Sequence, residues 1–284
     1  MGKRIDGKQL AQQIYLDLKK DIARLRTRGI TPHLAILLIG NNSASEVYVA
    51  KKQAAAQELG MRCTVFRFKT TVKKAEVIAC LETLQQPTTD VTGIIVQLPI
   101  PEHLYASSIL QMIKPSFDVD CLTYESFGKL ALGNHSIEPP TAGAIMTILR
   151  SQNIELTGKK VAIVGMGSLV GKPVALLLIN ERATVLTANS ATKPLSVITK
   201  QADIVITGVG KAGLIRGSML KKGALVVDAG IAFDRSGKVV GDVAMKSVEP
   251  IVSAVTPTPG GVGPLTVALL LKNTLILAQK KSHT

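Results

Sequence analysis

The stretch KKVAIVGMGSLVGKP, Lys159–Pro173, decides the fold. Its VAIV segment is short, apolar and partly β-branched, which predicts a buried strand. Glycines follow at Gly165 and Gly167, and Gly171 opens a helix-like run. A strand, a glycine turn and a helix in this order bring free helix N–H groups close to a phosphate. The glycine spacing is one residue longer than the usual dinucleotide fingerprint, so a tight turn that binds nothing is the alternative.

The residues around this stretch alternate between strands and helices. A helix is predicted before it at 144–150, and apolar runs at 183–186, 203–206 and 224–228 predict three further strands. Two of them end at glycines, as the first strand does, in Gly208-Val209-Gly210 and Ala229-Gly230-Ile231. Because parallel sheets bind dinucleotides at the carboxyl ends of their strands, the pattern predicts a C-terminal Rossmann-like nucleotide-binding domain.

The N-terminal half predicts a second α/β domain. Ser43 and Glu46 form a capping-box pattern that opens a helix, and Gly60 closes it. The other predicted elements are helices at 8–23, 75–84 and 104–113 and strands at 34–39, 63–68 and 91–97. The prolines and glycines of Pro257–Pro264 predict a shaped loop, and an apolar helix follows at 265–278.

Lys52 is a candidate proton-transfer group. Tyr48, Ala55 and Leu59 share its helix face by spacing, while Lys51 points elsewhere. A lysine among apolar neighbours loses hydration, which disfavours its charged form and allows proton exchange near neutral pH. The alternative is a lysine whose ammonium group reaches solvent past the tyrosine ring.

Gln97 and Asp120 are candidate ligand-binding residues. Gln97 ends a strand that Pro99 and Pro101 terminate, at the sheet edge where ligands bind, although an ordinary loop glutamine fits as well. Asp118 and Asp120 alternate as in some metal sites. No histidine or further acid follows at ligand spacing, so we expect no metal and one acid that binds a polar ligand.

Composition limits the possible partners. The chain has 284 residues and 46% hydrophobic content, which favours two domains, with the best boundary at 138–143. The net charge of +14 is scattered, which favours attraction of small anionic ligands over a merely solvated basic surface. Aromatic residues make up 3%, so we expect no nucleic-acid partner.

Cysteine usage and the N-terminus indicate a compartment. The three cysteines have no metal-type spacing, and their odd count argues against a disulfide framework, so a reducing cytoplasm is expected. Residues 1–14 lack an apolar signal region, and no run of about 18 uncharged apolar residues occurs. We therefore predict a soluble protein without a membrane partner.

Six motifs together give a resemblance to a known family. The motifs are Tyr48-Val49-Ala50-Lys51-Lys52, Gln97-Leu98-Pro99-Ile100-Pro101, Asp118-Val119-Asp120, Val170-Gly171-Lys172-Pro173, Gly241-Asp242-Val243 and Pro259–Pro264. In their order and over nearly its whole length, the chain resembles the bifunctional methylenetetrahydrofolate dehydrogenase/methenyltetrahydrofolate cyclohydrolase family.

The resemblance implies an architecture and an activity. It implies two domains around a cleft: residues 1–142, completed by a last helix in 264–284, bind folate, and residues 143–263 form the Rossmann NAD(P)-binding domain. It also implies a cytoplasmic homodimer that oxidises 5,10-methylenetetrahydrofolate and hydrolyses the methenyl product to 10-formyltetrahydrofolate. Such an enzyme serves one-carbon metabolism, tetrahydrofolate interconversion, and purine and amino-acid biosynthesis.

The resemblance also implies roles for individual residues. Lys52 handles the proton, and Tyr48 packs on the folate. Gln97 bonds to Lys52 and polarises the one-carbon unit, and Asp120 grips the pterin. The remaining implied contacts are Pro259, Gly263 and Pro264 for the substrate and Gly165, Met166, Gly167, Ser190 and Ile231 for the cofactor.

Several positions depart from the family pattern. They are Phe117, Cys121, Ser126, Pro140, Ala142, the Gly165-Met166-Gly167 segment and Asn189-Ser190-Ala191-Thr192. The alternatives are therefore another two-domain dehydrogenase, a family member with altered cofactor or lost activity, and a dinucleotide-binding protein without turnover.

The predicted cofactor is NADP, with NAD as the alternative. The second strand of the nucleotide domain ends without an acid that would bind ribose hydroxyls and repel a 2′-phosphate. Met166 and Ala191 stand where the family has arginines, so bidentate phosphate contacts are missing. Ser190, Thr192 and Lys193 can still bind a phosphate. We therefore expect a modest preference for NADP, with Ser190 and Lys193 as its main determinants.

Overall fold

The computed structural model describes residues 2–281 of the chain. The strands are β1 (Lys3–Arg4), β2 (His33–Ile39), β3 (Arg62–Phe68), β4 (Gly93–Gln97), β5 (Lys160–Val164), β6 (Thr184–Ala188), β7 (Ile204–Thr207), β8 (Leu225–Asp228), β9 (Ala232–Phe233), β10 (Val239–Val240) and β11 (Ala254–Val255). The α-helices are α1 (Gly7–Thr27), α2 (Ser43–Glu58), α3 (Lys74–Leu84), α4 (Ala106–Leu110), α5 (Tyr124–Ala131), α6 (Pro140–Ser151), α7 (Gly171–Asn180), α8 (Ser196–Thr199), α9 (Met245–Val248) and α10 (Val262–Lys281).

The chain divides into two compact units, both of the α/β class predicted from the sequence. The N-terminal unit comprises Gln13–Lys129, His135–Pro140 and Val267–Thr284. The C-terminal unit comprises Met1–Gln12, Leu130–Asn134 and Thr141–Thr266. The domain limits inferred from the sequence stay a prediction.

The N-terminal unit is built on a parallel sheet with the strand order β3-β2-β4. Strand β2 is buried along its whole length, which explains why its side chains are apolar on both faces. Leu34, Ile36 and Leu38 pack with apolar residues of α1, α2 and α10. Ala35 and Leu37 pack on the opposite face with residues of α3 and α4. The two faces are therefore covered by different helices.

Helix α10 supplies a large part of this core. It is long and apolar enough to span a membrane by length and composition, with a mean hydropathy of 1.4. However, 67% of that segment is buried inside the protein. Leu270, Leu271 and Leu275 pack in the cluster that covers β2. Core packing thus accounts for the apolar sequence of this helix.

The C-terminal unit contains a six-stranded sheet in the order β1-β11-β8-β7-β5-β6. All pairings in this sheet are parallel. The chain runs from β5 outward to β6 and then returns to β7 on the other side of β5. Such a reversal leaves a crevice at the carboxyl ends of β5 and β7, where doubly wound sheets bind ligands. The sequence did not indicate β1, because its two residues, Lys3 and Arg4, are charged and exposed.

Several element boundaries differ from the predictions, and four of them have a clear physical reason. Asn42, and not Ser43, caps α2, because its side chain accepts the N–H of Ser45 at 3.0 Å. The single helix predicted at 104–113 is a 3₁₀ turn followed by α4, because Tyr105 adopts a φ of 51° between them. Helices α6 and α10 begin several residues earlier than predicted. Each has a proline in its first turn, which tolerates proline because the N–H groups there lack intrahelical partners.

Candidate functional site

The N-terminal unit brings Lys52 and Gln97 into direct contact. Lys52 lies in the middle of α2, and Gln97 is the last residue of β4. The Lys52 Nζ donates a hydrogen bond of 2.9 Å to Gln97 Oε1. The Gln97 amide in turn donates from Nε2 to the carbonyl of Leu98 at 2.8 Å. The hydrogen bond that the family resemblance implied is therefore present, and both ends of the Gln97 amide are held.

The buried face of α2 is displaced from the predicted one. Ser45, Val49 and Ala56 are buried, and Lys52 lies in line with them at helical spacing. Tyr48 lies beside this line and is half-buried. The centre of the buried face therefore passes through Val49 rather than through Tyr48, although Lys52 belongs to both faces and remains one turn away from the tyrosine.

Burial shifts the pKa values of Lys52 and Asp120 toward each other, and the opposite charges of the two groups resist this shift. Burial lowers the pKa of Lys52, and the nearby Asp120 carboxylate and Cys63 oppose this shift. Burial raises the pKa of Asp120 to about 6, the Lys52 ammonium group opposes this increase, and Asp118 adds to it. A buried lysine loses its proton more readily than a solvent-exposed one, and a buried carboxylate gains one more readily. The environment thus favours the proton-transfer interpretation of Lys52 over the solvent-exposed one.

The two acids of the Asp-Val-Asp segment differ in their contacts. Asp118 is buried, and its carboxylate accepts the N–H groups of Leu122 and Thr123 at 3.1 and 2.8 Å. Asp120 is only partly exposed, and no residue in the described range 2–281 donates a hydrogen bond to its carboxylate. Asp118 therefore shapes the turn, and Asp120 is available for a ligand. Within the same range, no group of three or more His, Cys, Asp or Glu side chains could hold a metal ion.

Cys121 occupies a position that suits glycine. Its φ of 56° lies in the left-handed region, which disfavours residues with a Cβ atom. The thiol is buried and donates to the carbonyl of Ile137 at 3.6 Å. Packing and this weak hydrogen bond therefore offset the backbone strain at the position where the family pattern has glycine.

Asn273 holds the segment that carries Asp120, a role that the sequence analysis missed. This buried residue of α10 donates from Nδ2 to the carbonyls of Val119 and Glu138, at 2.9 and 2.7 Å. Its only signal in the sequence is a polar residue within a largely apolar helix. One amide group thus joins the Asp120 turn to the segment before α6.

The glycines after β5 pack closely, as a nucleotide loop requires. Gly165 has a φ of 96°, and a Cβ atom there would lie 3.0 Å from the carbonyl oxygen of Gly208. A side chain on Gly171 would overlap the carbonyl of Gly165. In contrast, a Cβ atom on Gly167 would meet open space. Backbone packing therefore requires two of the three glycines, and Gly167 leaves room for a ligand.

The start of α7 attracts an anion mainly through the helix dipole. The helix begins without a side-chain cap, so the positive end of its dipole lies at the glycine loop. The strand, turn and helix pattern predicts a set of free N–H groups here. However, the N–H of Lys172 already donates to the carbonyl of Gly167 at 3.1 Å, and Pro173 has no N–H. Fewer free donors are therefore available than the strand, turn and helix pattern suggested.

The other predicted cofactor residues lie in loops that follow strands of the same sheet. The turn after β6 is closed by Asn189, which accepts the N–H of Ala191 at 2.9 Å, and Ser190 in this turn is exposed. Met166 is half-buried in the loop after β5, and Ile231, after β8, is 47% exposed. This placement fits a dinucleotide that lies along the carboxyl ends of the strands.

Asp228 and Asp242 are buried acids that the sequence analysis did not include among the site residues. Burial raises the pKa of Asp228 to about 6, although three backbone N–H groups, the first that of Val243, oppose the shift. Asp242 is fully buried and accepts three hydrogen bonds. Their signal in the sequence is the glycine near each, Gly230 after Asp228 and Gly241 before Asp242. A side chain on either glycine would overlap the carboxylate of the other segment.

The remaining predicted substrate residues lie around the start of α10. Pro259 is exposed, and the peptide bond before it is cis. Gly263 is exposed, and Pro264 is half-buried in the first helical turn. The shaped loop predicted over Pro257–Pro264 therefore ends at Gly261, because the helix begins at the next residue.

Two sequence models of one family match most of the chain. The model described as "Tetrahydrofolate dehydrogenase/cyclohydrolase, catalytic domain" matches residues 5–120. The model described as "Tetrahydrofolate dehydrogenase/cyclohydrolase, NAD(P)-binding domain" matches residues 139–282. The first match contains Tyr48, Lys52, Gln97 and Asp120, and the second contains the glycine loop.

Relatives and solved structures agree with these matches. The chain is 43% identical over 281 residues to the "Bifunctional protein FolD" of an Exiguobacterium species, covering 99% of this chain and 100% of that protein. The bifunctional enzyme FolD of Campylobacter jejuni has a similar structure, with a TM-score of 0.96, 40% identity and 99% coverage of both chains. The Trypanosoma brucei enzyme, solved with NADP and an inhibitor, has a TM-score of 0.95 and 37% identity, and the match covers 100% of this chain and 99% of that one.

Proposed function

Because the chain belongs to the tetrahydrofolate dehydrogenase/cyclohydrolase family, we propose that it oxidises 5,10-methylenetetrahydrofolate with NADP and hydrolyses the methenyl product to 10-formyltetrahydrofolate. The observation that carries this proposal is the Lys52–Gln97 hydrogen bond of 2.9 Å, with Asp120 near enough to influence the lysine. A two-domain dehydrogenase that acts on another substrate has no need of Lys52, Gln97 and Asp120 together. The set supplies a proton acceptor and an anionic group for a substrate, which the second reaction requires.

In the first reaction, a hydride passes from the methylene carbon of the substrate to the bound dinucleotide. The contribution of this chain is orientation, which can account for a large part of the rate enhancement. Asp120 binds the polar edge of the pterin through its free carboxylate, and Tyr48 packs against the ring. The Gln97 amide is held by Lys52 and by Leu98, so it meets the reacting one-carbon unit in a fixed orientation.

In the second reaction, water adds to the methenyl carbon and a ring C–N bond opens. The adding water must lose a proton, and Lys52 accepts it, because burial lowers the pKa of this lysine and makes its neutral form accessible. Gln97 Oε1 holds the Nζ in position for this transfer. As the ring C–N bond breaks, the hydroxyl proton of the adduct passes to the departing nitrogen. The proton held by Lys52 leaves to solvent, and the 10-formyl product is released.

We propose that NADP is preferred over NAD by a modest margin. The turn after β6 has no acid that would repel a 2′-phosphate, while Ser190 and Lys193 are exposed donors there. No arginine provides a bidentate contact, because the family positions for it are Met166 and Ala191. The structural relative from Trypanosoma brucei contains NADP, which supports this choice.

The proposed enzyme is a cytoplasmic homodimer whose ligands are tetrahydrofolate derivatives, with no role for nucleic acid or a membrane. The dimer and the location follow from the family resemblance, and the three free cysteines suit a reducing compartment. Sedimentation at assay concentration measures the dimer directly. A single monomer species would contradict it.

One assay tests the proposed function. Purified protein is mixed with methylenetetrahydrofolate and either NADP or NAD, and the reduced cofactor and the methenyl absorbance are followed separately. We expect turnover with both dinucleotides and a higher kcat/KM with NADP. Binding of the dinucleotide without turnover would instead identify a protein that has lost the activity. Equal or better use of NAD would contradict the cofactor preference.

A further inference from the structure

Two buried carboxylates in the C-terminal unit join the loops after β7 and β8. Asp242 Oδ2 accepts the hydroxyl of Thr207 and the N–H of Val209, both at 2.7 Å. Asp242 Oδ1 accepts the N–H of Lys211 at 2.7 Å. All three donors belong to the end of β7 or to the loop that follows it. Asp242 therefore determines the path of this loop.

Asp228 holds the second loop and Asp242 itself. Asp228 Oδ1 accepts the N–H of Gly230 at 2.9 Å and that of Asp242 at 3.2 Å. Asp228 Oδ2 accepts the N–H of Val243 at 2.9 Å. Asp228 and Asp242 thus interlock and together form a carboxylate clamp.

The clamped loops form part of the nucleotide edge. A Cβ atom on Gly165, in the loop after β5, would lie 3.0 Å from both the Gly208 carbonyl oxygen and a Val209 side-chain atom. A Cβ atom on Gly210 would lie 3.1 Å from the carbonyl oxygen of Ile231. The three loops therefore contact one another at the carboxyl ends of β5, β7 and β8. Val209 and Ile231 each remain 47% exposed at this edge.

We propose that Asp242, held by Asp228, is a positioning residue for the dinucleotide: it shapes the loops after β7 and β8 to fit the cofactor without touching it. The carboxylate clamp belongs wholly to the C-terminal unit, whereas Lys52, Gln97 and Asp120 belong to the N-terminal unit. Hydrolysis of the methenyl substrate needs no dinucleotide. A defect in the carboxylate clamp should therefore impair the dehydrogenase activity and leave hydrolysis intact. This inference rests on the proposed function. A direct measurement of dinucleotide binding distinguishes a failure of this inference from a failure of the proposed function.

The test is Asp242→Asn, with the exposed Asp234→Asn as the matched control. Both carboxylate oxygens of Asp242 accept hydrogen bonds in the wild-type protein. In the variant, the amide nitrogen of asparagine replaces one of them and cannot accept, so a donor of the loop loses its partner and the loop shifts. We expect the Kd for NADPH, measured by calorimetry, and the KM for NADP to rise about 10- to 100-fold, as when a charged hydrogen bond is lost. Hydrolysis of added methenyltetrahydrofolate should stay within about twofold of wild type, since it relies on other residues.

The control removes the same charge from a turn near the tip of the β9–β10 hairpin, where Asp234 accepts N–H groups of Ser236 and Lys238. It should leave both activities unchanged. A folded Asp242→Asn protein with wild-type affinity for NADPH would overturn the proposal, and so would an equal loss of both activities. The calorimetric affinity is readable even if the wild-type protein has no turnover.

Thr207→Val covers the case in which Asp242→Asn does not fold. Valine keeps the shape of threonine and removes only the hydroxyl donor to Asp242 Oδ2. We expect a rise of about 2- to 10-fold in the Kd for NADPH, less than for Asp242→Asn, because the N–H groups of Val209 and Lys211 still donate to Asp242. An unchanged affinity in this variant would overturn the proposal.

Discussion

Lys52 combines burial with a fixed acceptor, and each has a separate consequence. Burial lowers its pKa, which makes the neutral amine more accessible than in an exposed lysine, while Gln97 Oε1 accepts a hydrogen bond from its Nζ at 2.9 Å. The adjacent Lys51 is exposed, and its Nζ lies 5.8 Å from the ring centroid of Tyr48. Two consecutive lysines on one helix therefore have different environments, and only Lys52 is suited to proton transfer.

Replacing Lys52 with methionine tests this difference. Methionine keeps the length of the side chain and removes the titratable group. We expect Lys52→Met to lower the hydrolysis of methenyltetrahydrofolate about 10²- to 10⁴-fold, the usual contribution of a general base. Hydride transfer should survive in part, because it depends mainly on positioning. Steady-state assays of hydrolysis and of hydride transfer measure how much each activity falls relative to wild type.

Lys51→Met is the matched control. It removes the same charge from the preceding position of the same helix. Hydrolysis in this variant should remain close to wild type. Wild-type hydrolysis in Lys52→Met, or equal losses in the two variants, would show that Lys52 does not carry the proton.

Asp120 predicts a pH dependence of substrate binding. Its pKa is raised to about 6, and in its proposed role the ionised carboxylate accepts hydrogen bonds from the pterin. Above pH 6 the group is mostly ionised, and well below pH 6 the ionised fraction falls by about tenfold for each pH unit. We therefore expect kcat/KM for methylenetetrahydrofolate to fall on the acidic side of about pH 6.

Asp120→Asn should remove this acidic limb. The amide does not titrate, so the variant should show a raised KM that no longer depends on pH in this range. The measurement is kcat/KM between about pH 5 and 8 for both proteins at constant ionic strength. An acidic limb that persists unchanged in the variant would assign the titration to another group.

At the scale of elements, α10 links the core to the turn that carries Asp120. Its apolar residues pack in the cluster that covers β2, while Asn273 binds the carbonyls of Val119 and Glu138. At the end of the same helix, the Lys281 Nζ donates to the carbonyls of Thr89 and Val91, at 3.0 and 3.1 Å. The helix therefore stabilises the N-terminal unit and also positions Asp120.

Asn273→Leu tests the positioning role of α10. Leucine keeps a similar volume but leaves the buried carbonyl of Val119 and the partly buried carbonyl of Glu138 without this donor. We expect the free energy of unfolding to fall by about 1–3 kcal/mol and the KM for the folate substrate to rise, since the Asp120 turn loses its anchor. Urea denaturation and initial-rate assays measure the two effects.

Thr274→Val is the control for that variant. The Thr274 hydroxyl donates to the carbonyl of Leu270 within the same helix, so its removal leaves no carbonyl of another segment unpaired. We expect a loss of about 0.5 kcal/mol and an unchanged KM. If the two variants behaved alike, the anchoring role of Asn273 would be contradicted.

At the scale of the whole molecule, the net charge of +14 should favour association with anionic ligands. Salt weakens such attraction, because the Debye length falls from about 10 Å at 0.1 M to about 3 Å at 1 M. We expect the KM for NADP to rise with salt more steeply than the KM for NAD, since NADP carries an additional phosphate. Equal salt dependence would mean that scattered charge contributes nothing to the cofactor preference.

Local patterns in the sequence were sufficient for most of the fold. Strands, glycine turns and helices depend on residues close in the chain, so periodicity and turn chemistry predicted the α/β class and the nucleotide edge. The motifs at Lys52, Gln97 and Asp120 identified the family and the candidate residues. Errors at element ends, as at Asn42 and Tyr105, arose where one side-chain hydrogen bond or one backbone angle decides the boundary. The short strand β1 was missed because its two residues are charged and exposed.

The tertiary structure alone decided how distant residues act together. Lys52 and Gln97 are 45 positions apart, and Asn273 and Val119 are 154 positions apart, so no spacing rule relates them. Their contacts depend on strand order and on the return of α10 to the core. The same holds for pKa values, because burial and neighbouring charge exist only after folding. The sequence by itself therefore determined the class, the family and the candidate site residues, while packing determined the pKa shifts and the partners of those residues.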